Sequence, residues 1–105
     1  MYGSVSSYRI KPGSEEAVKA LSRELVDDPP PGFVCSYTYR LDSGNDEYIT
    51  AAMWTDRETY AKNSEDERQQ RWFQRVQEHM VGAPSWNDGE VIQAAHPVPE
   101  GQTAG

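Results

Sequence analysis

Residues 33–54 read Phe33-Val34-Cys35-Ser36-Tyr37-Thr38-Tyr39-Arg40-Leu41, then Asp42-Ser43-Gly44-Asn45-Asp46, then Glu47-Tyr48-Ile49-Thr50-Ala51-Ala52-Met53-Trp54. The first run alternates. Phe33, Cys35, Tyr37, Tyr39 and Leu41 lie on one face, and Val34, Ser36, Thr38 and Arg40 on the other. The third run does the same, with Tyr48, Thr50, Ala52 and Trp54 opposite Ile49, Ala51 and Met53. Ser43-Gly44-Asn45-Asp46 between them is turn chemistry. Two alternating runs across a short polar turn predict a β-hairpin. Both of its faces carry apolar or aromatic groups, so both need cover.

Helical spacing flanks the hairpin. Upstream, Ala17, Val18, Leu21 and Leu25 recur at helical intervals, so residues 15–26 read as an amphipathic helix. Ser14 is its expected N-cap, with Glu15 and Glu16 in the first turn, where the helix dipole favours acids. Asp27-Asp28-Pro29-Pro30-Pro31-Gly32 ends it. Downstream, Asp56 is a second N-cap candidate for a helical piece over 57–63, and Asn63-Ser64-Glu65-Asp66 breaks it. A longer helix over 66–80 carries Trp72, Phe73, Val76 and Met80 on one face.

A strand is predicted at each end of the chain. Residues 2–11 place Tyr2, Ser4, Ser6, Tyr8 and Ile10 on one face before Pro12-Gly13-Ser14. Residues 85–95 hold the last strand, strongest at Glu90-Val91-Ile92-Gln93-Ala94-Ala95. The order is β-α-β-β-α-β, an α+β fold with a four-stranded antiparallel sheet and two helices on one face. The helices leave the other sheet face open, and a second copy of the chain is its simplest cover, making a homodimer. Residues 1–95 form the one expected domain, and residues 96–105 a flexible tail.

Composition narrows the function. The 105 residues carry 17 acidic and 10 basic side chains, a net charge of −7, which argues against nucleic acid and anionic membranes as partners. One cysteine, Cys35, excludes an internal disulfide framework and a cysteine-built zinc site. No apolar run approaches a membrane span, and the first residues lack a signal-peptide pattern, so the expected location is the cytoplasm. No phosphate-binding glycine loop occurs, and the two histidines, His79 and His96, make no metal motif.

Several segments in order carry a resemblance. They are Lys11-Pro12-Gly13-Ser14-Glu15-Glu16, Pro31-Gly32-Phe33, Arg40 with the polar turn beyond it, and Glu47-Tyr48-Ile49. The most specific is Trp54-Thr55-Asp56-Arg57-Glu58-Thr59-Tyr60, a Trp-x-[Ser/Asp]-x-x-x-Tyr pattern. Together, over residues 2 to about 95, they resemble the antibiotic-biosynthesis-monooxygenase family. The resemblance implies a ferredoxin-like βαββαβ fold that pairs into a dimeric α/β barrel. It also implies, for some members, oxidation of phenolic or anthrone substrates by dioxygen without metal or flavin.

In that type an Asn, a Trp, a Tyr and an Arg line a pocket between sheet and helices. Trp54 and Tyr60 match the Trp and Tyr. Thr50 stands where the Asn is expected, and Arg71 or Arg75 is the candidate Arg. Other members degrade haem with a second-helix His, which residues 57–78 do not contain.

The catalytic candidates are therefore Trp54, Tyr60, Arg71 and Arg75. Trp54 would stack on a flat ligand, or equally close the strand–helix corner as core. Tyr60 would donate to a phenolate or peroxide. Arg71 and Arg75, on one helical stripe with Arg68, would offset negative charge, or else form a solvated face pairing with Glu67 or Glu78. Ser4, Ser6 and Thr50 would floor a pocket of mixed polarity, with Trp72 beside it. A Cys35–His79 nucleophile pair is the remaining candidate, set against an inert buried thiol. The function expected is cofactor-free monooxygenation of a small aromatic. The alternative is a non-catalytic small-molecule-binding or stress-response dimer of the same fold.

Overall fold

The computed structural model describes residues 1–97, so residues 98–105 of the expected tail lie outside the described residues. The elements are β1 (Tyr2–Arg9), α1 (Glu15–Asp27), β2 (Phe33–Arg40), β3 (Glu47–Trp54), α2 (Arg57–Glu65), α3 (Glu67–Gln77) and β4 (Ser85–Glu90). The strands form one antiparallel sheet in the order β2-β3-β1-β4. The architecture is the expected α+β, ferredoxin-like one, with the second helical region split in two. Asp66 makes the split. Its side chain accepts from the amides of Arg68 and Gln69, capping α3, while its own amide closes α2 on Asn63. Asp56 caps α2 as expected, accepting from the Thr59 amide at 2.8 Å. Ser14 precedes α1 but makes no side-chain cap bond.

Three expectations need correction. β1 stops at Arg9, and Ile10 forms only an isolated bridge to Met80. β4 lies at Ser85–Glu90, not over the apolar 90–95 run. It is an edge strand, and pairing with β1 (Tyr2 opposite Glu90, Ser7 opposite Ser85) sets its place. In β2 the register shifts between Phe33 and Cys35, so Phe33 pairs with Trp54 and Cys35 with Met53. That β-bulge turns Phe33 onto the face opposite Cys35, Tyr37 and Tyr39.

The helices lie over the face bearing Ser4, Ser6, Tyr8, Tyr48 and Trp54. Its core is built from Ile10, Val18 and Tyr48, and from Leu21, Val76 and Met80, with Tyr8 touching both groups. Trp72 donates its indole N–H to the Leu21 carbonyl at 2.9 Å, tying α3 to α1. On the opposite sheet face Tyr37 and Tyr39 are 69% and 53% exposed. None of the described helices is long and apolar enough to cross a membrane.

The start of α1 is fastened to the sheet by polar contacts. The Tyr48 hydroxyl donates to one Glu15 carboxylate oxygen at 3.1 Å, and Arg40 donates to the other at 3.1 Å. The Arg40 bond first, and the Tyr48 bond second, hold the Glu15 carboxyl below its ordinary value of 4.5. A group depressed on folding contributes stability that is present above its unfolded pKa and is lost as pH falls through the folded one. Unfolding midpoints followed from pH 7 to pH 3 should therefore fall less steeply for Glu15→Gln than for the parent. Equal slopes would remove Glu15 from the acid response.

Candidate functional site

Between the sheet and the helices lies a cavity of about 740 Å³, within the range of small-molecule sites. Its floor is the helix-facing side of the sheet, where β-strand alternation brings every second residue inward. Ser4 and Ser6 are both 5% exposed there. Thr50 lies opposite Ser6, and Ala52 opposite Ser4. The small side chains leave the space that the large ones around them enclose.

Trp54, at the end of β3, is 5% exposed. It meets Phe33 edge-on, with ring centroids 5.3 Å apart, and Tyr60 likewise at 5.9 Å. Tyr60 reaches this corner because Asp56 starts α2 right after the strand, putting residue 60 one turn in, over the sheet. Tyr2 also packs against Tyr60, with ring centroids 5.1 Å apart. Trp72 and Phe73 of α3 wall the cavity from above. The Trp72 N–H is already committed to Leu21, so only its ring is available to a ligand.

The sheet thus brings together six of the eight residues singled out from the sequence: Ser4, Ser6, Thr50, Trp54, Tyr60 and Trp72. Arg71 and Arg75 stand elsewhere. Both line a separate surface hollow beside Glu24, Asp28 and Pro31. Arg75 binds the Glu24 carboxylate in a two-pronged pair at 2.9 Å, and Arg71 lies 3.8 Å from Glu67. Arg68 pairs with Asp28. The three arginines take the outer stripe because Trp72, Phe73 and Val76 occupy the inner face of α3. Cys35 and His79 are also apart. Cys35 shares the open sheet face with Met53, whose partner is Gly3, while the His79 carbonyl accepts from Lys11, beyond the other end of β1.

Asp88 is the site residue that sequence reasoning missed. Its Oδ1 accepts from the Ser4 hydroxyl at 2.6 Å, and its Oδ2 from the Tyr60 hydroxyl at 3.1 Å. Its signal was hidden, because residue 88 falls in the polar part of the expected 85–95 strand and its partners Ser4 and Tyr60 are far away in the chain. Burial pushes the Tyr60 phenol above its ordinary value. The bond and charge of Asp88 add to this, against an opposing effect of the bond to Ser4. Tyr60 therefore keeps its proton, and that proton points into the Ser4–Asp88 cluster. A second polar group runs along the floor. Tyr8 and Thr50 hydroxyls are 2.6 Å apart, and Thr38 and Thr50 hydroxyls 2.7 Å. Such a cavity can hold a flat ring against Trp54 and address its polar substituents from two sides.

No protein-family profile matches the sequence, and no curated protein matches it either. Solved structures do match. One is a variant of SnoaB from Streptomyces nogalater, described as a cofactor-independent oxygenase. It is 14% identical, and the match covers 89% of this chain and 94% of that one with a TM-score of 0.73. A second SnoaB structure from the same organism is 18% identical over 94% and 97% of the two chains, with a TM-score of 0.65. An antibiotic biosynthesis monooxygenase is 18% identical over 89% of this chain and 100% of its own, with a TM-score of 0.69. At these TM-scores and coverages the likeness is one of fold, and the fold of this chain is that of the antibiotic biosynthesis monooxygenase structures.

Proposed function

We propose that the cavity is the active site of a cofactor-independent monooxygenase that oxidises a small electron-rich aromatic of phenol, hydroquinone or anthrone type. The observation that carries this reading is the edge-to-face pair of Trp54 and Tyr60 over a mixed-polarity cavity. The likeness in fold to a cofactor-independent oxygenase supports it. Such a substrate brings its own electrons. In the anthrone case a CH2 group and O2 become C=O and water: two C–H bonds break, one oxygen atom enters the product, and the other leaves with both hydrogens. No outside reductant is needed.

In this reading Trp54, Ser4 and Ser6 position the ring, Trp72 walls it, and Thr50 and Tyr60 meet its oxygen substituents. Positioning is the protein's main contribution to such a reaction. Arg71 and Arg75 have no part in it, given their place outside the cavity. The exposed Tyr37 and Tyr39 face supports pairing of two copies as a homodimer, and we place the protein in the cytoplasm. A second reading, a dimer that holds a small metabolite without turning it over, is favoured by one observation. No Lys, Arg or His lines the cavity among the described residues, so no cation there offsets developing negative charge.

Oxygen uptake by the metal-stripped protein, with a panel of anthrones, hydroquinones and simple phenols, tests the proposal. Substrate-dependent uptake above a heat-denatured control is expected, reduced about tenfold or more by Trp54→Phe or Tyr60→Phe. No uptake across the panel would sink the monooxygenase reading in favour of the ligand-holding one.

A further inference from the structure

The polar groups of the cavity fall into two stations that differ in the hydrogens they can give to a ligand. At the first, Ser4 and Tyr60 each own one hydroxyl hydrogen, and both hydrogens are directed to the Asp88 carboxylate, at 2.6 and 3.1 Å. Tyr60 also lies 3.5 Å from the Ser4 oxygen, which keeps its hydrogen inside the same cluster. What this station offers a ligand is lone pairs: those of two hydroxyls, and the acceptor capacity that a carboxylate with two bonds still has.

At the second station, Tyr8, Thr50 and Thr38 own three hydrogens and make two mutual bonds, at 2.6 and 2.7 Å. Whichever way that chain runs, one hydrogen is left over for another partner. The second station therefore has a hydrogen to give as well as lone pairs, whereas both hydrogens of the first are spent on Asp88.

The sheet sets their separation. Ser4 pairs with Ala52 and Ser6 with Thr50, so Ser4 and Thr50 sit on adjoining strands, two residues out of register. Strand spacing and rise put their backbones roughly 8 Å apart. That span suits substituents on opposite sides of a fused-ring system. Asp88 is, moreover, the single charged residue lining the cavity among those described.

We propose that the cavity selects an aromatic ligand that is neutral or cationic. The ligand donates an O–H or N–H to the Ser4–Tyr60–Asp88 station and accepts at the Tyr8–Thr50–Thr38 station. Asp88 is the specificity-determining residue that rejects anionic aromatics. This rests on the cavity being the ligand site, and it narrows the substrates proposed above to those without a carboxylate, sulfonate or phosphate. Asp88 lies on an exposed strand, so water screens its charge and its effect is a preference, not an absolute gate.

Three probes sharing one ring system test it: 2-naphthol, 2-naphthoate and 2-naphthylmethylammonium. Each is titrated calorimetrically into the full chain at neutral pH and low ionic strength. The ammonium should bind about tenfold more tightly than the carboxylate, with the naphthol between them. In Asp88→Asn, which keeps the shape and removes the charge, that ratio should collapse to within about twofold. Added salt should compress the ratio in the parent protein, a check that needs no variant. Equal affinity for anion and cation in the parent, a preference that survives Asp88→Asn, or binding of none of the probes would each overturn the proposal. Binding needs no turnover, so the two readings fail separately. Charge discrimination without oxygen uptake removes the monooxygenase alone, and oxygen uptake without discrimination removes the role of Asp88 alone.

Discussion

Replacing Trp54 by alanine is expected to lower unfolding stability by about 3–5 kcal/mol. Against the roughly 5–15 kcal/mol that holds a typical domain folded, this is the largest single loss expected of any side chain in the molecule. Trp54 is 5% exposed and is the meeting point of three elements. It ends β3, packs edge-on against Phe33 of β2, and does the same to Tyr60 of α2. Truncation removes the most apolar surface that one residue can supply and opens a hollow beside a cavity that already exists. Water entering from that cavity fills part of the hollow, so the lower end of the range is the better expectation. Urea denaturation should show the midpoint falling with little change in slope. Trp54→Phe keeps an aromatic ring at the corner and should cost much less. A loss under about 1 kcal/mol for the alanine variant would mean that Trp54 does not hold the corner together.

The second large effect is expected at Gly32. Pro30 accepts from the Phe33 amide at 3.1 Å, so Pro31 and Gly32 are the central residues of a tight turn, and Gly32 has φ of +83°. This is the backbone geometry that a type II turn reserves for glycine. A Cβ at residue 32 would also fall inside the Thr59 side chain, in the first turn of α2. Gly32→Ala therefore incurs both a left-handed backbone penalty and an overlap, together roughly 2–5 kcal/mol. The two parts separate in a double variant. Adding Thr59→Gly, which removes the Thr59 Cβ as well as the atoms beyond it, should relieve the overlap and leave the backbone penalty, so Gly32→Ala should cost less in thermal unfolding when measured in a Thr59→Gly background than in the parent. An equal cost in the two backgrounds would place the whole of it in the backbone.

The sequence is legible where a residue's own chemistry decides its structure. Residues 47–54 alternate so regularly that β3 has the expected limits, and Asp56 caps α2 because a short side-chain acceptor before a helix has few other uses. It is least legible where a neighbour decides. Val91-Ile92-Gln93-Ala94-Ala95 looks more like a strand than Ser85-Trp86-Asn87-Asp88-Gly89-Glu90 does. Yet β1 is the template, and it pairs with the polar segment. The bulge after Phe33 leaves no mark on an alternating pattern, although it decides which side of the sheet that ring occupies.

The candidate site divides the same way. Trp54, Tyr60, Ser4, Ser6 and Thr50 gather in one cavity because strand alternation and one helical turn put them there. The arginine stripe of α3 could be read from spacing, but not its side. Its place shows in the partners on the outside, Glu24 of α1 for Arg75 and Asp28 just after α1 for Arg68. Asp88 went unread because its meaning comes from Ser4, 84 residues away along the chain.

That separation also bears on the order in which the molecule is assembled. β1 lies at the start of the chain, but its two partners are residues 47–54 and 85–90. Synthesis runs from the N-terminus at about 5–20 residues per second, so β1 waits some seconds for its first partner and longer for its second. The β2–β3 hairpin is local and can form early, whereas both pairings of β1 must close long loops first. Ser4 gains Asp88 only when β4 docks. The Asp88 station thus exists only once β4 has been made and paired, and a nascent chain cannot bind there before the sheet is whole.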